Sequence, residues 1–216
     1  MQLTNLPLYP ALFRPLTTPI KVDKLQSYLE GYPVCSKQYL LNGFRFGFSI
    51  DYVGPRQNFT CSNLLSAITN PEGVDDKIAK EIHQGRIVGP FDTRPFSVIH
   101  ISPLGLIPKT SPGEFRIIHH LSFPEGQSTN CHIPKLASSV HYANIDDAIR
   151  LVRRTGKGCG LTKTDIRNAF RLILVRHSDY NLLGICWRGK FFVDRTLAMG
   201  LSCSCKIFES FSTALE

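Results

Sequence analysis

A chain of 216 residues, 43% of them hydrophobic, is long enough to bury a core and holds one large domain or two small ones. Its formal charge of +8 suits a polyanionic partner such as nucleic acid, because each Lys or Arg that meets a phosphate releases counterions; an ordinary basic surface carries the same charge. Seven scattered cysteines without a CxxC repeat argue against a secreted disulfide framework and a zinc ribbon, and no apolar run is long enough to cross a bilayer.

The first twenty residues are punctuated by Pro7, Pro10 and Pro15, which spoil a signal-peptide core; an extended start and an intracellular protein are expected. Val22, Leu25 and Leu29 recur at helical spacing between Lys21 and Gly31, and Gly31 with Pro33 ends that helix. Ser36 to Gly43 reads as another turn or two. The alternation Gly43-Phe44-Arg45-Phe46-Gly47-Phe48 reads as an apolar edge covered by neighbours in preference to a stacking surface for bases. Ser62 can cap a short helix from Asn63 to Thr69, stopped by Asn70-Pro71. A stronger helix runs from Val74 to Gly85, with Val74, Ile78 and Ile82 on one face and Asp75 and Asp76 in its first turn.

Ser97 to Lys109 and Phe115 to Ser122 are strand-like and joined by Thr110-Ser111-Pro112-Gly113-Glu114, which predicts a long β-hairpin with a mobile tip and Lys109 and Arg116 at its shoulders. Asn144 starts a helix over Ile145 to Arg154, with Ile145, Ala148, Ile149 and Val152 on one side and Arg150, Arg153 and Arg154 on the other. Gly156-Lys157-Gly158 closes it and lacks the further residues of a P-loop. Four short strands are then predicted: Cys159 to Thr164, Leu172 to Val175, Leu182 to Trp187 and Lys190 to Asp194, the last two joined at Arg188-Gly189. Ser202 can cap a final helix that buries Ile207, Phe208, Phe211 and Leu215. The mixture is α+β.

The segment Leu161-Thr162-Lys163-Thr164-Asp165-Ile166-Arg167-Asn168-Ala169-Phe170 carries the most chemistry. An apolar strand would deliver a carboxylate at its end, where it can bind a hard divalent ion, with an aromatic five residues later. Alone, such an aspartate more often caps a helix or pairs with a cation. In context, the segment resembles motif A of reverse transcriptases, which implies that Asp165 is catalytic and binds metal, with the Ile166 backbone carbonyl as a further ligand. Phe170 then falls where the family places an aromatic gate against a ribose 2′-hydroxyl, so deoxynucleotides are expected.

Other segments match the same family in order. Leu106-Ile107-Pro108-Lys109 with Phe115-Arg116-Ile117-Ile118 looks like the fingers hairpin whose Lys and Arg grip the incoming triphosphate. Leu121-Ser122 and Asn130 resemble the join of fingers to palm. Leu197-Ala198-Met199-Gly200-Leu201-Ser202 resembles motif B, placing Met199 and Gly200 at the nascent base pair, with Ala198 where the family has proline. The resemblance runs from about Ile82 to Glu216. Gly85-Arg86-Ile87-Val88-Gly89-Pro90-Phe91, Ile118-His119-His120-Leu121-Ser122 and Lys163-Thr164-Asp165-Ile166 look most like the DIRS-like and Ngaro-like tyrosine-recombinase retrotransposons.

The resemblance implies an incomplete right-hand polymerase: a helical extension over 1–80, fingers over 81–155 and a partial palm over 156–216, the palm an RRM-like antiparallel sheet with helices. It implies an RNA/DNA primer–template and dNTP as partners, no membrane, two Mg2+ (or Mn2+) ions in the complete enzyme, and phosphate contacts from Arg94, Arg150, Arg153 and Arg154. No aromatic-x-Asp-Asp follows Gly200, and Asp75-Asp76 and Asp146-Asp147 precede motif A on predicted helices. Two expectations follow: a fragment of an RNA-directed DNA polymerase using two-metal nucleotidyl transfer, or a catalytically dead relic that at most binds nucleic acid.

Overall fold

A computed structural model describes residues 12, 18–163 and 165–215. The proline-punctuated start therefore lies outside the described residues, except for Leu12, which is buried. Helix α1 (Val22–Tyr28) falls where the apolar spacing placed it. Helix α2 (Val34–Phe46) is 13 residues long and absorbs most of the aromatic alternation instead of stopping at Gly43. A side chain at Gly43 would stand 2.2 Å from the Phe48 ring, so this glycine lets the ring lie on the helix. Phe44, on α2, and Phe48, just past its end, are buried edge to face at 5.2 Å, while Phe46 is 69% exposed.

Strand β1 (Phe59–Thr60) precedes the short α3 (Leu65–Ile68). Leu64, not Ser62, stands at the start of α3. Asn70-Pro71 opens the next helix, α4 (Pro71–His83), as well as closing α3. The Asn70 side chain accepts from Gly73 N at 3.1 Å, and Pro71 sits in the first turn, where its missing N–H has no helical partner to lose. This earlier start leaves Glu72 as the first-turn acid. Asp75 instead accepts hydrogen bonds from Trp187 Nε1 and from the Arg188 guanidinium, both at 2.7 Å.

Strands β2 (Ile87–Phe91) and β3 (His100–Ile101) come next, followed by the hairpin of β4 (Leu104–Pro108) and β5 (Phe115–His119). After the single-turn α5 (Lys135–Ser138), Asn144 caps α6 (Ile145–Thr155) with a full capping box closed by Asp147. None of the residues of α6 is buried, and Ile145 is 73% exposed. The strand expected over Cys159 to Thr164 does not form: residues 159–163 carry no regular structure, Thr164 lies outside the described residues, and Leu161 is 83% exposed. The strand expected over Leu172 to Val175 is reduced to isolated bridges, Phe48 with Val175 and Leu174 with Thr196, after a 3-10 turn over Ala169–Leu172. Strands β6 (Gly184–Trp187) and β7 (Lys190–Asp194) pair as read, with Arg188 and Gly189 both at positive φ in the tight turn between them. Helix α7 (Ser204–Ser212) starts after Cys203 without a side-chain cap from Ser202, and it buries Ile207 and Phe211. Leu215, expected on its buried face, is 40% exposed.

One five-stranded sheet runs in the order β1-β3-β6-β7-β2, and β4-β5 form a two-stranded sheet. The larger sheet is mixed, since β1–β3 and β3–β6 are parallel and the remaining pairs antiparallel. Its strands come from the segments 1–80, 81–155 and 156–216 alike. The main core lies where α1, α2 and α7 pack, around Leu29, Leu40, Phe44, Ile173 and Phe211. A second cluster, with Val74, Ile78, Leu104, Leu106 and Trp187, fixes α4 to the inner face of the β4–β5 hairpin. Among the described residues no helix is long and apolar enough to cross a membrane.

Candidate nucleotide and nucleic-acid interface

The hairpin alternates: Leu104, Leu106, Phe115 and Ile117 face α4, while Ile107 and Arg116 are paired in register on the opposite, exposed face. The tip expected to be mobile is closed by backbone bonds, Lys109 N to Glu114 O at 2.8 Å and Glu114 N to Ser111 O at 3.1 Å. Lys109 Nζ is ion-paired with Glu114 at 2.9 Å. Arg116 makes no ion pair among the described residues.

The base of the hairpin is locked to the loop that carries Gly200. A Cβ on Gly200 would stand 2.2 Å from the carbonyl oxygen of His119, so only glycine allows this approach. Asn130 clamps the loop: its Nδ2 donates to Gly200 O at 2.7 Å and to Ser122 Oγ at 2.8 Å, while its Oδ1 accepts from Ser202 N at 2.9 Å. Ala198 is buried, and its carbonyl accepts from Ser204 Oγ at 2.7 Å, which turns the chain into α7. Met199 is 60% exposed at the loop apex. His119 itself is buried, with its Nε2 3.2 Å from Gly184 O. Burial, with help from the Arg171 and His120 charges, lowers its pKa to about 4 against the opposing pull of Asp194 and the Gly184 carbonyl.

Asp165 is exposed and makes no hydrogen bond or ion pair among the described residues. The Ile166 carbonyl accepts from Ala169 N at 3.3 Å, and Asn168 is left-handed (φ 59°), turning the chain toward Phe170. The half-buried Phe170 packs edge-on against Phe208 of α7 at 5.6 Å. The next residue, Arg171, had no role in the sequence reading, yet it anchors the segment. Its guanidinium bonds Asp194 at 2.7 Å, Glu81 at 2.8 Å and Leu197 O at 3.3 Å, and Glu81 is also gripped by Arg86 at 2.6 Å. Burial pulls the Glu81 carboxyl upward, but the Arg86 and Arg171 guanidiniums outweigh it and hold the group below its ordinary range. A charged residue set inside the apolar run Phe170 to Val175 was the available signal for such a buried pair.

The donor set for metal is thin. One exposed carboxylate and one carbonyl already shared with an N–H suit a single hydrated ion, and among the described residues no group of three or more His, Cys, Asp or Glu side chains converges. Two catalytic ions do not fit the residues gathered at Asp165. Of the expected phosphate contacts, Arg94 is engaged with Asn58 Oδ1 at 3.1 Å and Thr60 Oγ1 at 3.0 Å, and Arg150 pairs with Asp147. Arg153 and Arg154 are exposed on α6.

No family model matches the chain, and no curated protein matches it in sequence. Solved structures match in three dimensions. The native prototype foamy virus protease–reverse transcriptase gives a TM-score of 0.54 at 15% identity, over 94% of this chain and 28% of that one. The foamy viral protease–reverse transcriptase in complex with dsDNA gives 0.51 at 16% identity, over 94% and 43%. The same kind of enzyme with an RNA/DNA hybrid gives 0.51 at 15% identity, over 94% and 28%. The chain spans less than half the length of these proteins. At such identity the likeness is one of fold, and the fold is reverse-transcriptase-like.

Proposed function

We propose that this chain is the fingers and first part of the palm of a retrotransposon RNA-directed DNA polymerase, of the DIRS-like or Ngaro-like kind, acting on a primer–template and dNTP. The observation that carries the reading is the junction at Asn130. It ties the base of a hairpin whose tip bears Lys109 and Arg116 to the loop bearing Met199 and Gly200. On this reading the phosphate grip and the base-pair contact would lie at the two ends of one hydrogen-bonded unit. Arg116 would fork onto phosphate oxygens and Lys109 act as a point charge. Phe170, braced on Phe208, would exclude a 2′-hydroxyl by sterics. Arg153 and Arg154 would meet the backbone of the duplex. The foamy viral neighbours seen with dsDNA and with an RNA/DNA hybrid support nucleic acid as the partner.

The test is primer extension alongside primer–template binding by fluorescence anisotropy, with Asp165→Ala and Arg116→Ala for comparison. Extension that both substitutions abolish, with binding retained, supports the polymerase reading. A second reading, a binder without catalysis, is favoured because among the described residues no three or more His, Cys, Asp or Glu side chains converge to hold a metal. Tight hybrid binding with no extension in any form selects that second reading.

A further inference from the structure

Helix α6 has eleven residues, and none of them is buried. An isolated helix of that length is marginal in water, so one standing this far out of the core lacks the tertiary support that usually holds a helix. Its surface is not that of a solvated helix. At 3.6 residues per turn, Ile145, Ala148, Ile149 and Val152 fall on one stripe, and all four are open to solvent. The charges are ordered as well. Asp146 and Asp147 occupy the first turn, Arg153 and Arg154 the last. Asp147 is engaged by the Asn144 backbone N–H and by Arg150. Asp146 and Arg153 make no ion pair among the described residues, and the helical angle puts both on the same flank of the apolar stripe, two turns apart.

We propose that α6 is the contact surface of a homodimer in which the helices of two copies pack antiparallel. A phosphate backbone or an anionic lipid surface favours cations along both edges of such a stripe and is opposed by Asp146 at one of them. A second copy answers that acid. A two-fold axis through the contact brings the same flank of both helices together with their directions reversed, so Asp146 of each copy meets Arg153 of the other. Centred between Ala148 and Ile149, the pair sets Ile145 opposite Val152 of the second copy and Ala148 opposite its Ile149. The Asp146 and Arg153 positions are then offset by two residues, about 3 Å along the axis, which the long arginine side chain spans. Arg154 lies on the far side of the helix and stays open to a polyanion. The inference goes beyond the polymerase reading and does not depend on it.

Sedimentation velocity of the whole chain from about 5 to 300 µM tests this, with circular dichroism of each form as the check on folding. A patch about 16 Å long and one helix wide falls well short of the roughly 800 Å² per partner of a standard interface, so a weak dimer is expected, with Kd on the order of 100 µM. Ile149→Asp should leave the chain monomeric throughout. Asp146→Arg and Arg153→Asp should each weaken the dimer about five- to tenfold, since by symmetry each change acts at two contacts. Mixed together, these two single variants should associate at least as well as the wild type, because every flank contact between them then joins opposite charges. A folding defect in either variant would not be repaired by mixing. The doubly exchanged Asp146→Arg/Arg153→Asp form should also regain wild-type association. A wild type that stays monomeric to about 300 µM overturns the proposal. So does a dimer indifferent to Ile149→Asp, or a mixture of the single variants that associates no better than either alone. If the wild type is monomeric and Ile149→Asp lowers the Tm, the stripe is covered by residues of its own chain; if Ile149→Asp instead weakens primer–template binding, duplex covers it.

Discussion

Replacing Arg171 with leucine should remove the strongest buried polar anchor of the segment that carries Asp165 and Phe170. In the native chain its guanidinium, 15% exposed, bridges Asp194, 5% exposed, and Glu81, 15% exposed. Glu81 keeps its bidentate bonds from Arg86 after the change, at 2.7 and 2.6 Å. The Asp194 carboxylate keeps Thr196, whose N and Oγ1 stand 3.1 and 3.2 Å from its Oδ1. Breaking a buried pair costs about 3–5 kcal/mol, mainly through the charge left behind. With Asp194 the one uncompensated group, the lower end applies, about 3 kcal/mol. At a urea slope of roughly 2 kcal/mol/M, the midpoint should fall by about 1.5 M. Urea denaturation followed by circular dichroism reads this directly. The Arg171→Leu/Asp194→Leu pair should recover part of the loss, because it removes the stranded charge. A midpoint shift below about 0.3 M, or strictly additive effects in the double variant, would refute the reasoning, because the pairs would then be solvated and worth little.

Three further outcomes follow from particular contacts. Gly200→Ala places a methyl 2.2 Å from the His119 carbonyl, so the loop or the end of β5 must move. A cost of about 2–4 kcal/mol and a Tm lower by roughly 5–10 °C are expected, and a Tm within about 2 °C of wild type would remove the close approach from the argument. Acid should destabilise the chain through His100 and His119, each lowered from 6.5 to about 4, chiefly by burial. Between those values the unfolded chain takes up a proton that the folded one refuses, so stability falls as pH drops through the window, by at most about 3 kcal/mol per histidine. His100→Phe should flatten that fall, because among the described residues neither ring nitrogen has a hydrogen-bond partner and Tyr52 and Phe59 already pack on the ring; an unchanged pH profile would contradict it. Replacing both Arg153 and Arg154 with alanine should reduce the slope of log K against log salt for primer–template by about 1–2, and an unaltered slope would take α6 out of the interface.

What could be read beforehand was local. Asn144 ahead of an apolar-periodic run starts a helix, and Arg188-Gly189 between two strand-like runs is a hairpin turn; both formed as read. The alternation at residues 44–48 splits in the structure: Phe44 on α2 and Phe48 beyond its end, bridged to Val175, are buried, whereas Phe46 is exposed. Pairings across long separations left no local trace. β1 lies parallel to β3 some forty residues on, and Glu81 meets Arg171 ninety residues away. The candidate site was legible in the same uneven way. The hairpin cations and Gly200 stood out by residue type, whereas Asn130's grip on the Gly200 loop depends on a contact seventy residues away.

Asp165 shows why that difference matters for function. The sequence suggested delivery from the N-terminal side, by an apolar strand ending at the carboxylate. A strand needs a neighbour for its N–H and C=O groups, and residues 159–163 have none among the described residues. The fixed point lies on the other side. Arg171 is bolted to Asp194, Glu81 and the Leu197 carbonyl, Phe170 rests on Phe208, and the chain runs back from there through the left-handed Asn168 to Asp165. The carboxylate is therefore positioned by an ion network and an aromatic contact, and Leu197 ties that network to the loop of Met199 and Gly200. Any loss of the Arg171 anchor should loosen Phe170 and the Asp165 carboxylate together, while the Lys109–Arg116 hairpin, built on α4 and β4–β5, keeps its own support.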